Sequence, residues 1–208
     1  MMRNINLFIK SIIDFVGSFL GIIIISPILL IIALSIKFTS KGPVFFKQER
    51  LGKNGKTFEI IKFRTMVLNA ENLGTGLFVK TETDNRITKV GKLLRATSLD
   101  ELPQLFNVLQ GNMSLVGPRP PVPHHPNKFD NYPNFQRKRF NMKPGITGLT
   151  QVTVRNSVSW DRRIDVDVEY VEKFNVWLDI KILFKTIKKM IVRESIYLDS
   201  ANEDTKIS

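Results

Sequence analysis

Two adjacent carboxylates, Asp100 and Glu101, are the side chains in this sequence whose types and spacing best suit chemistry on phosphorus. A carboxylate can bind Mg²⁺ or attack a phosphorus atom, provided that neighbouring cations neutralise the phosphate charge. The cations that flanking segments offer for this are Lys62, Arg64, Arg95 and Arg119. If the fold brings these groups together, they form a site for a phosphorylated substrate.

The same carboxylates also fit a structural role at the start of a helix. Ser98 precedes Glu101 by three positions, which is the spacing of a capping box. Acidic residues are favoured in the first helical turn, but a helix N-terminus attracts phosphate as well. Capping and phosphate chemistry therefore both remain open for this pair.

A β-hairpin is predicted over residues 44–66, because Asn54-Gly55 separates two apolar stretches. Alternation along the second strand places Lys62 and Arg64 on one face. These two cations could bind phosphate oxygens, or they could belong to a solvated strand face.

Two short helices are predicted over residues 87–110, with Gly111 as the stop signal. The stretch 111–126 is too rich in proline for a helix, and we expect it to be extended and to present Arg119. We expect the adjacent His124 and His125 to lie in a loop without catalytic duty. Polar residues 69–85 are predicted to form a loop as well.

An apolar run without charges covers residues 15–36 and is long enough for a membrane helix. Ser26-Pro27 lies at its middle, where proline is expected to kink the helix. Basic residues flank the run on both sides, which fits a re-entrant hairpin with both ends in the cytoplasm. A kinked spanning helix is the alternative. Either topology leaves the following domain in the cytoplasm.

The last helix, predicted over residues 176–193, has an apolar side that begins at Trp177 and a side rich in lysine. Such a helix can lie in a membrane interface or simply dock on the core. The whole chain carries a net charge of +12, which favours anionic partners such as nucleic acid, acidic lipid or phosphorylated substrates. The absence of cysteine excludes disulfides and thiolate chemistry.

Taken in order, several blocks of this chain resemble the bacterial sugar transferase family of monotopic phosphoglycosyl transferases. One marker is Ser26-Pro27 within the apolar run. The longer blocks are GPVFFKQERLGKNGKTFEIIKFRTM (42–66), RITKVGKLLRATSLDELPQLFNVLQGNMSLVGPRP (86–120), KPGITGLTQV (143–152) and WLDIKILFKTI (177–187).

The resemblance implies a reaction and a role for each motif residue. Asp100 would be the nucleophile that attacks a UDP-sugar, forming a covalent aspartyl intermediate and releasing UMP. Glu101 would complete the dyad, and Mg²⁺, held by Asp100, would be required. The residues expected to contact substrate phosphates are Lys62, Arg64, Arg119 and Arg155. Thr153-Val154 replaces the Asn-Gly that the family often has before this last arginine, so we expect the turn there to differ in shape.

We therefore expect an α+β monotopic membrane protein with an N-terminal re-entrant helix, a small β-hairpin and several helices at the membrane interface. Residues 1–38 would form the membrane element, 39–197 the catalytic domain and 198–208 a polar tail. The expected partners are a UDP-sugar, polyprenyl phosphate and membrane lipid, without nucleic acid, at the cytoplasmic face of a bacterial inner membrane. The alternative is a membrane-tethered basic binding protein without catalysis.

Overall fold

The chain folds as a mixture of helices and small sheets in the computed structural model, which describes residues 2–70, 84–154 and 158–192. Within those ranges the strands are β1 (Phe45–Leu51), β2 (Thr57–Phe63), β3 (Ser114–Val116) and β4 (Gly145–Thr147). The helices are α1 (Met2–Thr39), α2 (Lys89–Ala96), α3 (Gln104–Leu109), α4 (Asn134–Arg137), α5 (Leu149–Thr153), α6 (Trp160–Lys173) and α7 (Val176–Val192). The predicted α+β class is confirmed.

The predicted hairpin is confirmed as the antiparallel pair β1–β2, whose register runs from Phe45 opposite Phe63 to Leu51 opposite Thr57. Asn54 and Gly55 in the connection both take left-handed backbone conformations, with φ of 56° and 74°. Asparagine and glycine tolerate this region better than other residues do, which explains why the chain turns here. The hairpin carries Lys62 near the end of β2.

Helix α1 is continuous from Met2 to Thr39, with Pro27 inside it. Among the described helices, it is the one that is long and apolar enough to cross a membrane. Many of its large apolar side chains lie exposed, including Phe15, Phe19, Ile23, Ile24, Ile28, Leu30 and Ile31. An uncovered apolar surface of this extent is typical of contact with lipid.

The first half of α1 is held against the rest of the protein by buried polar contacts. Lys10 donates to the Asp179 carboxylate at the start of α7, with an Nζ–Oδ2 distance of 2.6 Å. One turn later, Asp14 accepts a hydrogen bond of 2.9 Å from the backbone N–H of Leu115 in β3. Both charged side chains are nearly fully buried.

The second half of α1 packs on the same body through apolar contacts. Ile32 and Ile36 form a buried cluster with Phe63 of β2 and Leu94 of α2. Because both halves of α1 contact the domain that follows, the helix and this domain form one packed structure. The re-entrant geometry at Ser26-Pro27 stays a prediction.

The two predicted helices at 87–110 are confirmed as α2 and α3, but a short 3₁₀ turn, Leu99–Glu101, separates them. Ser98 takes a left-handed conformation with φ of 57°, and its side chain makes no capping hydrogen bond. The capping-box interpretation of Ser98 and Glu101 is therefore wrong. This frees the two carboxylates from a helix-capping role.

The C-terminal helices α6 and α7 pack against β3 and α5 around a core that includes Val116, Val152, Tyr170 and Ile182. Docking of the last helix on the core is confirmed, whereas its contact with a membrane interface stays a prediction. Ile182 is buried against this core, whereas Trp177 and Phe184 are 72% and 70% exposed. The predicted tail at 198–208 and most of the predicted loop at 69–85 lie outside the described residues.

Candidate active site

Asp100 and Glu101 lie in the 3₁₀ turn between α2 and α3, next to β2. The left-handed Ser98 ends α2 and redirects the chain into this turn. Leu99 anchors the turn by packing against the apolar cluster that α1, α2 and β2 share. The position of the two carboxylates thus follows from a backbone reversal and one partly buried leucine.

Glu101 brings two cations from distant parts of the chain to the turn. Its Oε1 accepts a hydrogen bond from Lys62 Nζ at 2.7 Å and a longer one from Arg119 Nη2 at 3.4 Å. The side chains of Lys62 and Glu101 are only 17% and 20% exposed, whereas that of Arg119 is 50% exposed. Arg119 therefore keeps most of its donors available to a ligand.

The surroundings shift the pKa values of the two carboxyl groups in opposite directions. Burial raises the pKa of Asp100 to about 6, although Lys62 opposes the shift. Burial would also raise the pKa of Glu101, but the charges of Lys62 and Arg119 outweigh it and lower that pKa to about 2. Divergent pKa values in neighbouring carboxyls are typical of sites where the two groups have different roles.

Asp100 is the carboxylate that remains available. Within the described part of the chain, its side chain forms no hydrogen bond or salt bridge. It nevertheless lies in the positive field of Lys62, Arg95 and Arg119, which favours its ionised form. A carboxylate in this setting can attack an electrophilic phosphorus whose oxygens are neutralised by the same cations.

Arg64 is engaged elsewhere in the structure. Its guanidinium is buried and donates to the carbonyl oxygens of Ser40 and Lys41, just beyond the end of α1. These contacts stabilise the C-terminal end of α1 and use several of the arginine's donors. The structure thus brings Lys62 and Arg119 to Glu101. The guanidinium of Arg64 instead donates to backbone carbonyls just beyond the end of α1. The phosphate-binding role of Arg64 stays a prediction, and Arg155 lies outside the described residues.

Two arginines near Arg119 were not singled out from the sequence. Burial and the nearby positive charge of Arg119 lower the pKa of Arg50 to about 10. Burial and Arg119 likewise lower the pKa of Arg163 on α6. Arg50 and Arg163 both lie far from Arg119 in sequence, so no local pattern connects them with it. Alternation along β1 also does not distinguish Arg50 from the other polar residues of that strand.

The donor set fits a magnesium ion that is held mainly by its substrate. Among the described residues, no group of three or more acidic, histidine or cysteine side chains could enclose a metal. Asp100 has free oxygens, while Glu101 already shares Oε1 with two cations. Mg²⁺ is commonly bound by one or two carboxylates together with substrate phosphates and water, and Asp100 can supply that protein ligand.

Comparison with known proteins shows that most of this chain is shared with one family. The family model described as bacterial sugar transferase matches residues 5–193. The chain is 40% identical over 188 residues to the sugar transferase EpsL of Bacillus subtilis, and the match covers 90% of each chain.

Longer relatives resemble this chain over part of their length. A UDP-glucose:undecaprenyl-phosphate glucose-1-phosphate transferase of Klebsiella pneumoniae is 43% identical, over 94% of this chain and 43% of its own. An undecaprenyl-phosphate galactose phosphotransferase of Salmonella typhimurium is 43% identical, over 91% of this chain and 42% of its own. The chain thus spans less than half the length of these two relatives.

We predict that the Asp100 carboxyl titrates with a midpoint near pH 6, as its pKa of about 6 requires. Carbon NMR of protein labelled at aspartate carboxyls measures this directly, and Asp100→Asn identifies the resonance. Arg95→Gln should move the midpoint to higher pH, because it removes a positive charge that favours the carboxylate.

Lys47→Gln is the matched control for Arg95→Gln, since Lys47 pairs with Glu59 on the exposed face of the hairpin. It should leave the titration of Asp100 unchanged. A midpoint near the ordinary aspartate value of about 3.9 would contradict the described burial of this group.

Proposed function

Because the chain belongs to the bacterial sugar transferase family, we propose that it transfers a sugar 1-phosphate from a UDP-sugar to polyprenyl (undecaprenyl) phosphate and releases UMP. This would be the first membrane step in assembling a surface polysaccharide or glycoconjugate. The observation that carries the proposal is the Asp100 carboxylate beside Lys62 and Arg119, which forms no hydrogen bond or ion pair among the described residues. The relatives are named for different sugars, glucose and galactose, so we assign this chain a class of donor, the UDP-sugars.

In the first step, an Asp100 oxygen attacks the β-phosphorus of the UDP-sugar. A bond forms between this oxygen and phosphorus, and the bond from the β-phosphorus to the bridging oxygen breaks. UMP leaves with that electron pair, and the sugar phosphate stays on Asp100 as an acyl phosphate. Lys62 and Arg119 are placed to stabilise the negative charge that develops on the phosphoryl oxygens.

In the second step, a phosphate oxygen of the polyprenyl carrier attacks the same phosphorus. The acyl phosphate bond breaks, Asp100 leaves as a carboxylate, and the product is a polyprenyl diphosphate sugar. A pKa of about 6 suits the attack in the first step, because Asp100 is mostly ionised at neutral pH and is more basic, hence more nucleophilic, than an ordinary aspartate.

Glu101 has a separate duty in this scheme. Its low pKa keeps it ionised, so that it holds Lys62 in a close ion pair and attracts Arg119 without competing as the nucleophile. Mg²⁺, when bound through Asp100 and the substrate pyrophosphate, would neutralise charge on the donor and leaving group.

We further propose that α1 is re-entrant and that the catalytic domain lies at the cytoplasmic face of the inner membrane. In a straight helix, Lys10 and Ile36 would be about 39 Å apart, which exceeds the roughly 30 Å hydrocarbon layer. A spanning helix would separate these residues by the bilayer, yet Lys10 bonds Asp179 and Ile36 packs on Phe63. The exposed Trp177 and Phe184 of α7 provide a further apolar surface beside α1.

The nucleophile is tested by Asp100→Asn, which keeps the size of the side chain but cannot form an acyl phosphate. We expect UMP release from the UDP-sugar to fall by at least about a thousandfold, while thermal unfolding still shows a folded protein. Asp130→Asn, at an exposed position outside the site, is the control and should keep its activity.

Substantial turnover by Asp100→Asn would exclude Asp100 as the nucleophile. A lack of Mg²⁺-dependent UMP release by the unmodified protein, across a panel of UDP-sugars, would instead favour the membrane-tethered binding protein.

The topology is tested by single cysteines, which this cysteine-free chain allows without background labelling. Cysteines at Asn4 and Lys53, both exposed, should be protected together from an impermeant reagent added to intact cells. Both should react once the inner membrane is permeabilised. Labelling of Asn4→Cys alone in intact cells would show that α1 spans the membrane.

A further inference from the structure

The segment that carries Arg119 has few backbone donors with which to hold its own position. Residues 118–121 read Pro-Arg-Pro-Pro, and proline has no backbone N–H. Such a segment cannot form a regular ladder of hydrogen bonds. Its position in the fold depends on what binds its carbonyl oxygens.

All four carbonyl oxygens of this segment accept hydrogen bonds, and all four donors come from residues outside it. The Gly145 N–H donates to Pro118 at 3.0 Å, and the Leu51 N–H donates to Pro121 at 2.9 Å. The two central carbonyls, those of Arg119 and Pro120, are bound by side chains. Arg139 Nη2 donates to Arg119 at 2.8 Å, and Arg50 Nη1 donates to Pro120 at 3.1 Å.

Arg139 is a rigid donor because it is fixed by its own partner. Only 4% of Arg139 and 2% of Asp167 are exposed, and the two form an ion pair. Thr150 donates to the other carboxylate oxygen of Asp167. The Arg119 carbonyl is thereby tied to α5 and α6.

Arg50 is held from the hairpin side. Its Nη2 donates to Gln48 on the same strand at 2.5 Å, which orients the guanidinium toward Pro120. Burial and the nearby Arg119 charge both disfavour a cation at this position, as the lowered pKa of Arg50 indicates. Arg50 therefore donates to Pro120 even though burial and the Arg119 charge make its own positive charge unfavourable there.

The Arg119 side chain makes only weak contacts that could fix its position. It is half exposed, and its contact with Glu101, at 3.4 Å, is near the long limit for a hydrogen bond. Where its guanidinium lies is thus decided mainly by the backbone from which it projects.

We propose that Arg50 and Arg139 are positioning residues, which hold the Pro120 and Arg119 carbonyls so that the Arg119 guanidinium meets the phosphoryl group at Asp100. This inference rests on the proposed function, because it assigns Arg119 to the substrate. Arg50 and Arg139 act through Arg119 and need not contact the substrate.

A double-mutant cycle on UMP release tests this inference. The variants are Arg50→Gln, Arg119→Ala and the two combined, with kcat and KM for the UDP-sugar measured for each. Arg50→Gln should lower kcat about tenfold with little change in KM, as expected for losing a hydrogen bond made by a charged group. In the Arg119→Ala background, the same substitution should have almost no further effect, because the group that it positions is gone.

Lys47→Gln on the same strand is the matched control and should retain wild-type kinetics, since Lys47 pairs only with the exposed Glu59. Arg139→Lys provides a second cycle, because lysine keeps a charge opposite Asp167, but its shorter side chain does not reproduce the position from which Nη2 bonds both Asp167 and the Arg119 carbonyl. Its kcat loss should likewise disappear in the Arg119→Ala background.

Equal fold losses from Arg50→Gln in both backgrounds would overturn the inference, since they would indicate direct substrate contact or a general structural role. Wild-type kinetics in Arg50→Gln or in Arg119→Ala would overturn it too. In these cases the unmodified protein and Lys47→Gln still release UMP, so the proposed function stands. Absence of UMP release from both would contradict the proposed function itself.

Discussion

The ion pair between Lys62 and Glu101 is the interaction on which the site depends, because separate parts of the chain meet there. β2 supplies Lys62, the turn between α2 and α3 supplies Glu101, and the proline-rich segment supplies Arg119. Charges removed from water are costly alone and are tolerated when paired. Glu101 carries one negative charge and pairs with two cations, so the group keeps a net positive charge. This charge favours an ionised Asp100 and an anionic ligand.

The same turn ties the site to the membrane element. Leu99, which precedes Asp100, packs on the cluster that contains Ile32 and Ile36 of α1. A shift of α1 against the domain would therefore be transmitted to the dyad through a buried contact. This coupling is useful to an enzyme whose acceptor would be presented at the headgroup level, because the anchor and the nucleophile keep a fixed relation.

The features that were predictable from the sequence are those with a local cause. Asn54-Gly55 specified the hairpin, and the uncharged run at 15–36 specified the apolar helix. The left-handed Ser98 was not predictable, because its spacing to Glu101 also satisfies a capping box. Strand alternation placed Lys62 and Arg64 together, yet tertiary contacts gave them different partners. Arg50 and Arg139 gained their roles from carbonyls far away in sequence, which no local pattern encodes.

The central claim, that Asp100 carries the sugar phosphate between donor and carrier, is tested most directly by mass spectrometry of the unmodified protein. The protein is mixed with a UDP-sugar that it accepts and Mg²⁺, without polyprenyl phosphate, and is then digested. The account predicts a sugar-phosphate adduct on the peptide containing Asp100, formed with a stoichiometric burst of UMP and removed when polyprenyl phosphate is added. An unmodified peptide, with UMP released only when both substrates are present, would contradict it.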